Sequence, residues 1–552
     1  MKSDIRNNKE TKCITGKRST FLFCIIMLGL GLSCFEIALI NIRQESSASA
    51  GVSTSKTLVL GESRGMIYDC NMNRLVCTEY KKTAAVKPSI TALSTLKDAV
   101  STEEYVLAVE EISKGNPILL HPEYLINDNE IITEKIYRRY NESQLAVHLI
   151  GHLENGNKSG AAGIELSCND IISKYSGSLK CRFFTNGAGL VMQGEKIEKI
   201  DENYNSEGGV VLTLNREIQL ILENAMDECS LEKGAAVMLD VETGAVVAAV
   251  SRPSFDPNNV ADYIDDADLA LFNRILGTYP VGSVFKPLVA AAALEQGIDP
   301  AVEYECTGSI SENSATFGCT KSHGIVNMAS ALAYSCNCYF VNLTDKLDCS
   351  RVLDLAESLG FGGQIELADS IFAYSSDLPS AIELTSFSAR ANFSFGQGNV
   401  TASPVQMAIL YSMIANSGEY RAPYLVEGVC DENGNFTRTH TLAPPYKVIS
   451  ADTADTLGAC LELAAREGTG KNACANGVTV AGKTATAQSG EYSGGKERLV
   501  TWFAGYFPYE TPKYALVLMC EDGESGSEDC APVFSLVAVS YTHLTLPTMA
   551  VV

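Results

Sequence analysis

An α+β fold is predicted for the larger part of this chain by two observations: β-rich runs stand at both ends of residues 209–539, and Ala- and Leu-rich helical stretches fill the middle. Strands so far apart in sequence imply one sheet assembled from distant segments, with a helical lobe inserted between them. The elements follow in order. Val210 to Leu214 is strand-like, and Arg216 to Met226 carries apolar residues at helical spacing. Ala235 to Ser251 reads as two strands joined by a Glu242-Thr243-Gly244 turn, a hairpin. From about Asp262 to Ala415 helical stretches are broken by Gly and Asn. Strand signals return at Val478 to Gln488, Leu499 to Phe507 and Tyr514 to Cys520, and an apolar helix begins at Ala531 to Val539.

At 552 residues the chain exceeds one ordinary domain. Residues 1–18 form a basic-ended tail, with Lys12, Lys17 and Arg18 ahead of a stretch, 19–42, whose only charge is Glu36. That stretch is long enough to cross a bilayer core, and the positive-inside rule then leaves the N-terminus in the cytoplasm and delivers everything after Arg43 outside. The alternative is a signal peptide cleaved near Ala48-Ser49-Ala50; the length of the apolar run favours an uncleaved anchor. Residues 43–208 begin with a Ser-rich stalk, show no strong period, and read as a small extracytoplasmic pedestal. Residues 540–552 change character within a packing helix and read as a foreign, non-native tail. The formal charge of −24 excludes nucleic acid as a partner, because phosphates need a basic face.

Of 18 cysteines, Cys13, Cys24 and Cys34 lie in the tail and the apolar stretch. Cys306 with Cys319, and Cys520 with Cys530, are candidate bridges across short loops; the competing reading is reduced, buried thiols. No CxxC and no Cys/His ligand spacing is present, so neither a metal nor a cofactor is expected.

The chemistry is expected from Ser-x-x-Lys, which sets a hydroxyl and an amine on adjacent helical turns, near enough for the amine to take the serine proton. Five such pairs occur: Ser53/Lys56, Ser94/Lys97, Ser230/Lys233, Ser283/Lys286 and Ser493/Lys496. Ser-x-Asn recurs at Ser167, Ser311 and Ser335, and Lys-Thr-Ala at Lys82 and Lys483. Context selects among them. Turn residues Tyr279 to Gly282 come directly before Ser283, and an apolar helix, Leu288 to Leu294, follows Lys286. Ser283 thus meets a helix N-terminus, whose N–H groups favour developing negative charge. Ser335-Cys336-Asn337 follows a helical run, and Lys483-Thr484-Ala485-Thr486 lies in a strand-like segment, in the order of active-site serine penicilloyl enzymes.

With these motifs in place, the chain resembles a class B penicillin-binding protein from its apolar stretch to about Ala538. Arg64-Gly65-Met66-Ile67-Tyr68-Asp69, His148 to Gly151 and Ala162-Gly163-Ile164-Glu165 resemble motifs of that family's pedestal. Asp240 to Gly244, Pro253 to Asn258 and Phe395-Gly396-Gln397-Gly398 resemble segments of its second domain. The resemblance implies a penicillin-binding, β-lactamase-like transpeptidase fold at 209–539, an antiparallel sheet with flanking helices. It implies that Ser283 attacks the penultimate D-alanine carbonyl of a peptidoglycan stem peptide and releases the terminal D-alanine. Lys286 is the implied base, its pKa lowered by burial and by Lys483; Ser335 relays the proton to the leaving amine and Asn337 holds the substrate amide. Lys483, Thr484 and Thr486 would bind the terminal carboxylate, and the N–H groups of Ser283 and Thr486 the oxyanion. β-Lactams would acylate Ser283, and a membrane glycosyltransferase is the implied partner.

One departure stands in the third motif, where Ala485 replaces glycine; its methyl lies on the face of the strand that carries Lys483 and is expected to crowd the nucleophile's helix. A β-lactamase reading lacks an assignable glutamate for deacylation and does not explain residues 1–208. A bifunctional synthase lacks room before Gly209 for a glycosyltransferase domain. A silent scaffold is disfavoured by the presence of Ser283, Lys286 and Lys483 together.

Overall fold

The structure is a computed structural model, and it describes residues 54–154, 158–312, 315–474 and 477–545, together with Met27. The expected anchor and both chain ends lie outside these, apart from that one residue, and no helix among the described residues is long and apolar enough to cross a membrane.

The described chain forms two compact units. The smaller includes residues 54–58, 82–134 and 180–200. Its helices Ile90–Leu96 and Thr102–Ser113 start where Ser89 and Ser101 accept N–H bonds as N-caps. Ala92, Leu96, Ala108 and Ile112 bury with Ala84, Val86, Leu120 and Ile131, so this unit has its own core.

The larger unit contains residues 59–81, 135–179 and everything from Asp201. The motifs around Arg64, His148 and Glu165 thus fold with the segments from Asp201 onward. There Met66–Tyr68 runs parallel to Gly209–Leu212. Glu165 is fully buried and closes an ion-pair knot. Arg64 Nε donates to its Oε2 at 2.9 Å, Arg139 Nε to its Oε1 at 2.6 Å, and the Tyr140 hydroxyl to the same oxygen at 3.1 Å.

The elements that build the site are, in chain order, α1 (Arg216–Glu228), β1 (Gly234–Asp240), β2 (Val246–Arg252), α2 (Lys286–Glu295), α3 (Met328–Ala333), α4 (Asn337–Thr344), α5 (Pro404–Ala415), α6 (Ala451–Arg466), β3 (Ala481–Ser493), β4 (Lys496–Phe507), β5 (Tyr514–Glu521) and α7 (Ala531–Thr545). The strands form one five-stranded sheet in the order β2-β1-β5-β4-β3, antiparallel throughout. This is the predicted sheet from distant segments. Successive residues of β1 enter different cores: Val237 and Leu239 pack with α2 and α5 on one face, Ala236 and Met238 with α1 and α7 on the other. Burial on both faces explains why β1, β2 and β5 are apolar almost continuously instead of alternating with polar residues. The last helix continues through Ser540, and the Tyr541 ring packs edge-on against Tyr514 at 4.9 Å.

Candidate active site

The nucleophile turn sits against the edge strand β3. Ser283 lies in a 3₁₀ turn, Gly282–Phe285, that runs straight into α2, whose first residue is Lys286 and second Pro287. The turn needs two glycines. Gly282 has φ +58°, and a Cβ there would come within 3.2 Å of the Ala487 methyl. Gly396, at φ +73°, accepts the Gly282 N–H at 2.8 Å, and a Cβ on it would strike the Gly282 carbonyl oxygen at 2.2 Å. The Phe395-Gly396-Gln397-Gly398 segment thus holds the nucleophile turn by backbone contact.

Ser335 stands in the left-handed region at φ +58°, an unusual conformation for a non-glycine residue and one that carries strain. It points the hydroxyl into the site: Ser335 Oγ donates to Ser283 Oγ at 2.9 Å, and Lys286 Nζ donates to Ser335 Oγ at 3.2 Å. Lys286 Nζ also donates to the Ser335 carbonyl at 2.9 Å and to Asn337 Oδ1 at 2.7 Å. A hydrogen-bonded path from Ser283 Oγ to the Lys286 amine therefore runs through Ser335. Lys286 is wholly buried beneath the Phe340 ring. Burial drives its ammonium down from 10.5 to about 7, against an opposing pull from Cys336, Cys319 and Cys338.

Lys483 is also wholly buried. Its Nζ donates to the Thr484 carbonyl at 2.9 Å and to Thr469 Oγ1 at 3.4 Å. Burial first, and the Lys286 charge second, push Lys483 well below its ordinary value. Burial is thus the leading cause for both lysines, and the repulsion expected between them is expressed on Lys483. The Thr484 hydroxyl is engaged with Thr469 at 2.6 Å, whereas Thr486 is exposed. The Ala485 methyl lies 3.4 Å from where a Cβ on Gly282 would stand, an ordinary van der Waals separation, so it does not crowd the turn.

The rival motifs do other work. Lys233 pairs with Asp268 at 3.1 Å, Ser493 faces Lys496 across the β3–β4 turn, and Asn169 accepts from Arg64. Lys82 donates to the Glu123 carbonyl. Thr469 carries no sequence signal; it reaches the site because its N–H donates to the Ala333 carbonyl at the end of α3.

The cysteine expectations change. All 15 described cysteines are free. Cys306 and Cys319 Sγ stand 3.8 Å apart, and the Cys520 and Cys530 thiols donate to backbone carbonyls, so neither proposed bridge is present. The lack of Cys/His ligand spacing along the sequence does not carry over into space. Donor atoms of Cys306, Cys319, His323 and Cys336 lie within 4.8 Å of one another. Sequence spacing hid this because a hairpin insert and a helix start supply the four.

An edge strand bearing a buried lysine, set against a serine at a helix start and a second serine–asparagine loop, is the frame of an acyl-transferring serine enzyme. Residues 234–537 match the family described as "Penicillin binding protein transpeptidase domain", and the chain belongs to that family. It is 27% identical over 451 residues to a "Peptidoglycan D,D-transpeptidase FtsI homolog" of Mesostigma viride, covering 75% of this chain and 74% of the relative. With the "Stage V sporulation protein D" of Bacillus subtilis it shares 26% identity over 76% of this chain and 65% of that protein. Penicillin binding protein 3 of Mycobacterium tuberculosis, solved with aztreonam, superposes with a TM-score of 0.64 at 22% identity, covering 89% of this chain and 98% of that one. That likeness is one of fold.

Proposed function

We propose that the chain is a peptidoglycan D,D-transpeptidase whose nucleophile is Ser283, and that residues 209–539 form its transpeptidase domain and 43–208 its pedestal. The observation that carries the reading is the hydrogen-bonded group of Ser283, Ser335, Lys286 and Asn337 around an amine that burial brings to about 7. Near that pH a substantial fraction of Lys286 is neutral and able to act as a base. Ser283 Oγ attacks the penultimate D-alanine carbonyl while its proton passes through Ser335 Oγ to Lys286. The proton returns by the same path to the departing D-alanine amine, leaving an ester on Ser283. An acceptor stem-peptide amine then attacks the ester, forms the crosslinking amide and frees the serine. Asn337 orients the donor amide, and the N–H groups of Ser283 and Thr486 receive the oxyanion. The substrate carboxylate lands at the exposed Thr486, above Lys483 and Thr484; its charge raises the Lys483 pKa and restores the ammonium. β-Lactams acylate Ser283 by the same route.

The apolar stretch 19–42 supports a single-pass anchor with the catalytic domain outside the cytoplasm, where a membrane glycosyltransferase supplies the glycan strands. Deleting residues 1–43 is expected to move the protein from the membrane to the soluble fraction. Labelling with a fluorescent penicillin tests the chemistry. The native chain forms a long-lived adduct and Ser283→Ala forms none; equal labelling of the variant removes Ser283 from the role, and rapid loss of the label indicates a hydrolase.

A further inference from the structure

The hairpin insert and the loop that carries Ser335 meet at a cluster of thiols that the transpeptidase chemistry does not use. Tyr304–Cys306 pairs with Gly324–Val326, which sets Cys306 across from Gly324 and beside His323. The inner hairpin, Ser309–Glu312 with Ala315–Gly318, ends directly before Cys319, whose N–H donates to the Gly308 carbonyl at 2.9 Å. Cys336 sits between Ser335 and Asn337 at the start of α4. We infer that Cys306, Cys319, His323 and Cys336 form a structural zinc site that locks this hairpin to the loop of Ser335 and Asn337.

Three of the six donor–donor distances match the edges of a coordination tetrahedron, and all six are within 4.8 Å. Zinc–sulfur bonds of about 2.3 Å and zinc–nitrogen bonds of about 2.0 to 2.1 Å place tetrahedral ligands about 3.8 Å apart for two sulfurs and about 3.6 Å for sulfur and nitrogen. The Cys306–Cys319 and Cys319–Cys336 sulfurs are separated by 3.8 and 3.7 Å, and Cys306 Sγ lies 3.5 Å from His323 Nδ1. These three edges connect all four donors. The Cys338 N–H donates to Cys319 Sγ at 3.4 Å, and the His323 ring is stacked on Tyr334, the residue before Ser335, while its Nε2 is buried without a hydrogen-bond partner. Three thiols and one imidazole are a soft, tetrahedral donor set that selects zinc over magnesium or calcium. On binding, each thiol gives its proton to solvent and the ion gives up its waters.

The clamp would act on the catalytic loop without touching substrate. Asn337 Nδ2 donates to the Gly318 carbonyl at 2.9 Å, one residue from Cys319, and Asn337 Oδ1 accepts from Lys286. The four ligands are positioning residues, and only this consequence rests on the transpeptidase reading.

The full chain, solubilised in detergent and purified without added metal, is analysed by inductively coupled plasma mass spectrometry. About one zinc per chain is expected. Cys306→Ser and His323→Ala are expected to lose it, while Cys474→Ser, at an exposed thiol, retains it. A misfolded variant would also lose metal, so the native chain is stripped and titrated with Co²⁺; thiolate-to-cobalt charge transfer with the visible bands of tetrahedral cobalt is expected. Penicillin acylation should fall on stripping and return with Zn²⁺ but not Mg²⁺. Absence of both zinc and the cobalt spectrum, with the three site thiols and Cys338 found free or two of them joined as a disulfide on peptide mapping, overturns the proposal. Metal content is read whether or not penicillin labels Ser283, so failure of the site and failure of the enzymatic reading are distinguishable.

Discussion

Two groups of buried charges in the larger unit are treated in opposite ways. At the first, Arg64 and Arg139 converge on Glu165, and every charge has an opposite partner with a hydrogen bond. Burial is the largest single influence on Arg139 and opposes its charge, but Glu165, Cys77 and Tyr140 together outweigh it, and the guanidinium is held above its ordinary value. At the second, Lys286 and Lys483 are fully buried with carbonyl and hydroxyl oxygens as their hydrogen-bond partners. There burial wins, and both amines are pushed down. The difference teaches what burial does to a charge: a carboxylate partner keeps it and makes structure, whereas neutral oxygens let it go and make a base.

The comparison breaks most sharply at Lys286. Lys286→Ala is expected to slow penicillin acylation of Ser283 by about a hundred- to ten-thousand-fold, the usual worth of a general base, with thermal stability little changed. Glu165→Ala should do the reverse. Leaving two guanidinium groups buried and unpaired is expected to cost about 3 to 5 kcal/mol in chemical unfolding, while the folded fraction still acylates at the native rate. Acylation kinetics against pH sharpen the contrast further. Because Lys286 must be neutral to accept a proton and its pKa is near 7, the rate constant should fall about tenfold for each pH unit below that value and level off above it. A flat profile from pH 5 to 8 would remove Lys286 from the role. The smallest effect is expected at Ala485. Its methyl already fits against Gly282, so Ala485→Gly should change the acylation rate by less than about tenfold, or about 1.4 kcal/mol of barrier.

Much of this was legible in the sequence because it is local. A turn followed by an apolar helix marks Ser283, a strand-like run marks Lys483, and the five strands appear as apolar or β-branched segments at both ends of the catalytic region. Their order also selected one Ser-x-x-Lys pair among five. What could not be read depends on distant segments meeting. Thr469 lies 14 residues from Lys483 yet reaches its amine. The Arg64 contact to Glu165 spans 101 residues, and although a motif marks each end, nothing local pairs them. The cysteines misled in the same way: pairing by loop length predicted bridges, whereas the fold gathers Cys306, Cys319 and Cys336 around His323.

The sequence by itself selected the residues proposed to carry the reaction, since hydroxyl, amine and amide must sit at fixed offsets on a helix start, a loop and a strand. Only the tertiary structure decided their state. Whether Lys286 is a cation or a base, and whether Ser335 or Lys286 meets the nucleophile first, follows from burial and from a left-handed turn at Ser335. Those are consequences of what surrounds a residue, and the surroundings come from other parts of the chain.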